Sequence, residues 1–351
     1  MSDATQRTEI SNLGEFGLIK RLSEKITVTQ PTTIKGIGDD AAVLAKRDKL
    51  TVVTTDMLVE GVHFDLMYVP LKHLGYKSIV VNLSDVCAMN AVPTQVTVAI
   101  ALSNRFSLEA VEELYDGMRA ACKRYNVDLV GGDTTTSLKG LIICVTAIGE
   151  VEDGKQVYRS TANEGDLLCV TGDLGSAYLG LQMLEREKKI FLEDPNIKPD
   201  LENQQYIIGR QLKPEPRTDI VKWFADNNVL PTSMIDISDG LSSETLHLCD
   251  QSNLGCDVLE EKIPIADEAR QQAFKFNFDP TLCALSGGED YELLFTIKPE
   301  DEEKFKGSLD VTIIGKMTAK GSEPTLITRK GNRHKLIAQG WNAFGNEPTA
   351  S

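Results

Sequence analysis

Leu50-Thr51-Val52-Val53-Thr54-Thr55-Asp56 is a β-branched run that stops on a carboxylate, and Leu71 to Asn90 beyond it has helical periodicity. A strand of this kind fits a pleated, half-buried surface. The helix brings a second acid in Asn82-Leu83-Ser84-Asp85. Working outward, Pro93 closes that helix before the strand-like Gln95 to Leu102, a second helix runs from Ser107 to Tyr125, and strands Asp128 to Val130 and Leu141 to Ile148 follow. Upstream, Asn12 to Lys25 spaces Leu13, Phe16, Leu18, Ile19 and Leu22 as an amphipathic helix. The alternation lacks the regular spacing of a doubly wound sheet, so the first half reads as an α+β layer.

Glu152 to Asp166 is polar, contains Gly154 and Gly165, and is the linker candidate. Beyond it come a strand (Leu167 to Thr171), a turn with Gly172 and Gly175, a helix, and a segment rich in Pro and charge from Leu192 to Pro216. Strands at Met234 to Ile237, Tyr291 to Ile297 and Val311 to Gly315, with a helix from Gly240 to Asp250, complete a second region. The expected division is a domain of residues 1–151 followed by one of 152–351, since 351 residues exceed the usual span of one core.

The 52 acidic and 37 basic residues give a net charge of −15, which disfavours nucleic acid and anionic membrane as partners. An anionic nucleotide could be held by such a chain only through metal ions. Seven cysteines, with no C-x-x-C pair and mostly apolar neighbours, read as buried thiols of a reducing compartment. The N-terminus lacks an apolar leader and no apolar run approaches membrane length, so a cytoplasmic protein is expected.

Six acidic motifs punctuate the chain: Asp39-Asp40, Thr54-Thr55-Asp56, Asn82-Leu83-Ser84-Asp85, Gly131-Gly132-Asp133, Asp236-Ile237-Ser238-Asp239 and Gly287-Gly288-Glu289-Asp290. Carboxylates beside Gly, Thr and Ser offer the hard oxygen ligands that Mg²⁺ prefers. Each also has an ordinary explanation. Thr54-Thr55-Asp56, taken alone, reads more readily as a strand end capping a turn. Asp239 before Gly240 is equally an N-cap, and Gly131-Gly132-Asp133 equally a plain turn. Asp85 lies in a helix too apolar to be solvated, so it needs a partner: a metal, an Arg or a backbone amide. Gly36 to Ala41 fits G-x-G-x-x-A, but two carboxylates would face a pyrophosphate and no strand precedes it, and no P-loop occurs anywhere. His63 is a lone histidine of the kind that usually packs or hydrogen-bonds.

Taken in order, the six motifs, together with Met57-Leu58-Val59-Glu60-Gly61-Val62-His63-Phe64 and Tyr291-Glu292-Leu293, closely resemble the thiamine-monophosphate kinase family. That family belongs to a superfamily with aminoimidazole ribonucleotide synthetase and selenophosphate synthetase. The likeness runs from Gly14-Glu15-Phe16 to Gly340-Trp341. It implies an N-terminal α+β domain that dimerises through its sheet, a C-terminal α/β domain, and ATP held at their junction by several Mg²⁺ ions, leaving open whether K⁺ takes part. By matching motif, Asp39, Thr54, Thr55, Asp56, Asp85, Asp133, Asp236 and Asp239 are the implied metal ligands, and Tyr115, Gly132, Asp133, Arg159 and Ser238 the implied ATP contacts. His63, Glu289 and Trp341 would contact thiamine monophosphate, the Trp ring stacking on its flat cation.

The implied reaction moves the γ-phosphoryl group of ATP to the phosphate of thiamine monophosphate, an acceptor already ionised near neutral pH. No general base is then needed, and the catalytic residues are those that position and neutralise charge: Asp56, Asp85, Asp133 and Arg159. A selenophosphate synthetase is disfavoured because the first cysteine, Cys87, lies within an apolar helix. The remaining alternatives are another ATP-dependent member of the superfamily and a non-catalytic nucleotide or metal binder with the same fold.

Overall fold

In the computed structural model the described residues are 18, 21–35, 37, 42–45, 48–202, 204–305 and 310–338. Asp39, Trp341, residues 12–17 and 19–20 of the Asn12 to Lys25 segment, and all of the Gly36 to Ala41 segment but Ile37 lie outside them. Two compact units are present, Met1–Gln156 with Leu212–Asn228, and Val157–Gln211 with Val229–Ser351.

The first unit opens with a small ribbon of β1 (Thr33–Lys35) and β2 (Val43–Leu44). Its main sheet has four strands, β3 (Leu50–Val59), β4 (Val92–Leu102), β5 (Asp128–Thr136) and β6 (Ile142–Val151), in the order β3-β6-β4-β5. The β3/β6 and β6/β4 pairs are antiparallel, and β4/β5 is parallel. Helices α1 (Leu71–Ala88) and α2 (Leu108–Tyr125) cover one face of this sheet.

The two helices cross closely because each presents a glycine. A Cβ on Gly75 would lie 1.9 Å from the Leu114 carbonyl oxygen, and one on Gly117 1.9 Å from that of Lys72. α1 is buried on nearly every side, including Ser78, Asn82 and Ser84. α2 is capped as its sequence suggests: the Ser107 hydroxyl accepts from the Ala110 amide, Lys123 and Arg124 occupy the last turn, and Asn126 closes it in the left-handed region. Pro93, expected to precede a strand, sits inside β4, at the register irregularity near its start where a missing N–H is tolerated.

The return of residues 212–228 to this unit has no compositional mark. Leu212 packs on the first core, the Tyr76 and Tyr125 hydroxyls donate to Glu215, and Arg124 pairs with Glu215 at 2.9 Å. Helix α5 (Thr218–Asp226) lies in this returned segment.

The second unit is built on a seven-stranded sheet of β7 (Leu167–Thr171), β8 (Ser233–Asp236), β9 (Gly255–Leu259), β10 (Leu293–Ile297), β11 (Val311–Thr318), β12 (Thr325–Ile327) and β13 (Arg333–Lys335), ordered β13-β12-β9-β11-β7-β10-β8. Only the β12/β9 pair is parallel. Its helices are α3 (Ser176–Glu193), α4 (Gln205–Leu212), α6 (Leu241–Ser252), α7 (Asp267–Lys275) and α8 (Pro280–Ser286). The Asp279 side chain accepts from the Thr281 amide at 2.8 Å and Pro280 opens α8, a strong local start signal. All seven thiols are free. No helix among the described residues is long and apolar enough to cross a membrane.

Candidate active site

In the first unit, β3 does not end at Asp56 but runs on to Val59, because Met57-Leu58-Val59 continue the ladder against Ile142–Cys144 of β6. The period of two still puts Thr54 and Asp56 on one face, toward α1. There the Thr54 hydroxyl donates to Asp85 Oδ2 at 2.6 Å, and the Asp56 amide donates to Asn82 Oδ1 at 3.0 Å. Asn82 is itself held, its amide nitrogen donating to the Ser78 carbonyl at 3.0 Å. Asp85, expected to be buried against a partner, is half-buried and finds Thr54.

Desolvation, and then the neighbouring Asp85 charge, push the Asp56 carboxyl up to about 6. Thr55 points to the opposite face, where its hydroxyl donates to the Val145 carbonyl at 3.0 Å and accepts from Thr146. Its side chain therefore stands apart from Thr54, Asp56 and Asp85.

This is an oxygen-only donor set with two carboxylates in each other's field, the chemistry that suits a hard divalent cation. Among the described residues no group of three or more His, Cys, Asp or Glu could hold a metal ion. Mg²⁺ is commonly bound through one or two carboxylates, with waters and substrate phosphates completing its octahedron. A pair such as Asp56 and Asp85 fits that mode, with Thr54 as a neighbouring oxygen.

In the second unit Asp236 ends β8, buried, and is paired in register with Leu293 of β10. The pairing brings Ile237-Ser238-Asp239 against Gly287–Glu292. The Glu289 amide donates to the Ser238 carbonyl at 2.7 Å, the Tyr291 amide to Ile237 at 2.9 Å, and the Ile237 amide to Glu292 at 2.8 Å. Glu289 and Tyr291 both hold positive φ, 59° and 52°, on either side of Asp290. Such backbone persists only where its surroundings over-determine it.

Asp239 does not cap α6: Gly240 occupies the cap position and no side-chain cap bond forms. The Asp239 amide instead donates to Glu244 Oε1 at 3.0 Å, and burial raises the Asp239 carboxyl, opposed by His247. Glu244, which the sequence reading passed over, is buried; its Oε2 has no hydrogen-bond partner and desolvation pushes it up to about 8.

The other expected residues belong to several elements of the two units. Asp133 is exposed on β5, which also contains Gly131 and Gly132, so these glycines are in a strand and not a turn. A Cβ on Gly132 would meet the Val98 carbonyl oxygen at 1.8 Å, so strand packing already demands glycine there. Tyr115 is a core residue, 6% exposed, its hydroxyl pushed up to about 12 by burial. Arg159 is exposed, and its carbonyl accepts from the Ser233 and Ser252 hydroxyls. His63 is exposed, with Nδ1 accepting from the Val59 amide at 3.1 Å. Ser238 and Glu289 are half-buried and adjacent through the backbone bond above.

Helix α4 is a further feature that composition hid, within the segment from Leu192 to Pro216. Tyr206 and Arg210 stand four residues apart on it, a helical spacing that could have been read, and Gln211 follows directly. Arg210 pairs with the buried Glu292 at 2.8 Å and donates to the carbonyls of Asp173 and Asp290 at 3.0 and 3.3 Å. Asp290 accepts from the Gly175 and Ala177 amides at 2.8 and 3.3 Å.

Residues 38–151 match the model of the AIR synthase related protein N-terminal domain, and residues 163–326 that of its C-terminal domain. The chain is 32% identical to thiamine-monophosphate kinase of Bacillus subtilis over 338 residues, 95% of this chain and 100% of that one. A solved structure of AaThiL complexed with AMPPCP and TMP superposes with a TM-score of 0.73 at 33% identity, covering 97% of this chain and 100% of the other. That of thiamine-monophosphate kinase from Stenotrophomonas maltophilia K279a gives a TM-score of 0.76 at 30% identity, covering 92% and 98%. Matched in sequence and fold over nearly all of its length, the chain belongs to the thiamine-monophosphate kinase family, phosphotransferases of the AIR synthase related superfamily.

Proposed function

We propose that this chain transfers the γ-phosphoryl group of ATP to the phosphate of thiamine monophosphate, breaking the γ-phosphorus–oxygen bond of ATP and releasing ADP and thiamine diphosphate. The observation that carries the reading is the pairing of Asp56 with Asp85 beside the Thr54 hydroxyl, in a chain of this family. The complex of AaThiL with AMPPCP and TMP supports sites for nucleotide and acceptor.

The assignment of roles follows the motifs. Thr54, Asp56 and Asp85 would hold Mg²⁺ in the first unit, Asp39 and Asp133 are assigned by motif as further ligands, and Asp236 and Asp239 are assigned the same role in the second unit. Bound there, the metal would neutralise charge on the phosphate oxygens. The chain's own groups do the rest. The Asn82 amide oxygen fixes the backbone of β3, so that Asp56 is presented from a rigid strand. Arg159, an exposed cation, is assigned to the phosphates, and Gly132 and Ser238 to the nucleotide. His63 and Glu289 are assigned to the acceptor, Glu289 toward its cationic part. The acceptor phosphate needs no base, because its second proton leaves near pH 6.

A homodimer is also proposed, through the sheet of the first unit. Val53 and Met57, 62% and 54% exposed, lie on the face of β3 opposite the Thr54–Asp85 bond. Sedimentation should show a dimer that Met57→Lys converts to a monomer; an unchanged mass would remove this face from consideration.

The test of the reaction is direct. Purified full-length chain with Mg²⁺, ATP and thiamine monophosphate should give ADP and thiamine diphosphate by phosphorus NMR, and free thiamine should not be phosphorylated. No diphosphate product at saturating substrates would overturn the proposal.

A further inference from the structure

Glu289 is fixed at both ends by the protein. Its amide is bonded to Ser238, and its carboxylate Oε2 accepts from Gln211 Nε2 at 2.6 Å. Gln211 is buried, on the last turn of α4, where the same helix sends Arg210 onto the Asp290 carbonyl and Glu292 and the Tyr206 hydroxyl onto Asp173. Three side chains of one short helix thus grip the loop with the strained Glu289 and Tyr291 backbone and the turn at Asp173, and Gln211 is the one seen on the Glu289 carboxylate.

A neutral amide donor at that distance does two things for a carboxylate: it restrains the carboxylate's torsions, and it supports the ionised form without cancelling its charge as an Arg or Lys would. Both suit a residue that must offer negative charge to a cationic, hydrogen-bond-donating ligand. Helix α4 also supplies the cation that the loop itself needs, Arg210, at Glu292. The division of labour keeps the guanidinium on the buried Glu292 and the amide on the half-buried Glu289.

We propose that Gln211 is a positioning residue for acceptor recognition, setting the Glu289 carboxylate for the cationic part of thiamine monophosphate. The inference rests on the assignment of Glu289 to the acceptor. Replacing the donor by an acceptor reverses the interaction, and removing it frees the carboxylate to rotate.

The experiment is steady-state kinetics on the full chain with both substrates varied, for Gln211→Glu, Gln211→Leu, Glu289→Gln and the double variant Gln211→Leu/Glu289→Gln. Gln211→Glu should raise KM for thiamine monophosphate about tenfold and Gln211→Leu about fivefold, with kcat and KM for ATP within about twofold of wild type. In the Glu289→Gln background, Gln211→Leu should add less than about twofold, because coupled residues are not additive. Should Gln211→Glu fold poorly, Gln211→Asn carries the same test, since it keeps the amide but stops one methylene short of Glu289.

A KM for thiamine monophosphate that stays at the wild-type value in the Gln211 variants, a full multiplicative effect in the double variant, or a parallel rise in KM for ATP would each overturn the inference. The two levels separate cleanly. If Glu289→Gln itself leaves KM for thiamine monophosphate unchanged, the assignment of Glu289 falls and the inference with it. If Glu289→Gln raises KM but the Gln211 variants do not, only the positioning role falls.

Discussion

Two sets of carboxylates in this molecule are solved in opposite ways. In the first unit Asp56 stands in the field of another carboxylate, Asp85, and both desolvation and that neighbour push it up. In the second, Asp290 is fully buried and pushed up to about 7 by desolvation, but Arg210 and the amides of Gly175 and Ala177 pull the other way. Glu292 beside it has the Arg210 guanidinium and the Thr171 hydroxyl at 2.5 Å. The protein supplies its own cation to the second set. At the first, a cation arriving from solution would lower the same electrostatic cost, as the proposed metal-assisted transfer requires.

The sharpest way to break the comparison is Asp56→Asn. With a carboxylate that serves a metal, kcat should fall at least about 10³-fold, on the scale of losing a major source of charge stabilisation. The thermal midpoint should stay the same or rise, because the variant removes one of two repelling, desolvated groups. A midpoint that drops together with activity would mark Asp56 as structural and dissolve the contrast.

Arg210→Met tests the other side. It leaves Glu292 and Asp290 buried without their guanidinium, and breaking a buried ion pair in this way costs about 3–5 kcal/mol. Denaturant unfolding should report that loss. A variant as stable as wild type would show that the second set, too, is satisfied from outside the protein.

Much of this contrast was written in the chain. The β-branched run from Leu50 and the apolar helix around Asp85 were legible because period and composition agree there, and alternation alone joined Thr54 to Asp56. The extent of β3 was not, since Asp56 interrupts the run and only pairing with β6 shows that it continues. The partners of Asp290 were hidden for a different reason. Arg210 and Gln211 lie about 80 residues from the loop they hold, in a stretch whose Pro and charge content disguises an eight-residue helix. Glu244 carried no signal beyond its place in the first turn of a helix, where an acid is ordinary.

The smallest expected effect is the pH dependence of stability in the absence of divalent metal. The Asp56 carboxyl lies at about 6 in the folded chain against 3.8 when unperturbed. Below 3.8 both folded and unfolded chains hold the proton there, and the group contributes nothing. Between 3.8 and about 6 the unfolded chain ionises first, so stability declines as pH rises, and above about 6 the decline is complete. Asp290 and Glu244 tilt stability in the same direction over overlapping ranges that reach about 7 and about 8, and they do so equally in wild type and in Asp56→Asn. The difference between the two thermal midpoints, followed from pH 4 to 6, therefore isolates Asp56. Without metal, wild type should lose stability relative to Asp56→Asn across that window, and Mg²⁺ should shrink the difference by favouring the ionised carboxylate. Parallel midpoints without metal would mean that Asp56 is not held against Asp85 in the way the contrast requires, and a difference untouched by Mg²⁺ would mean that the pair takes no cation.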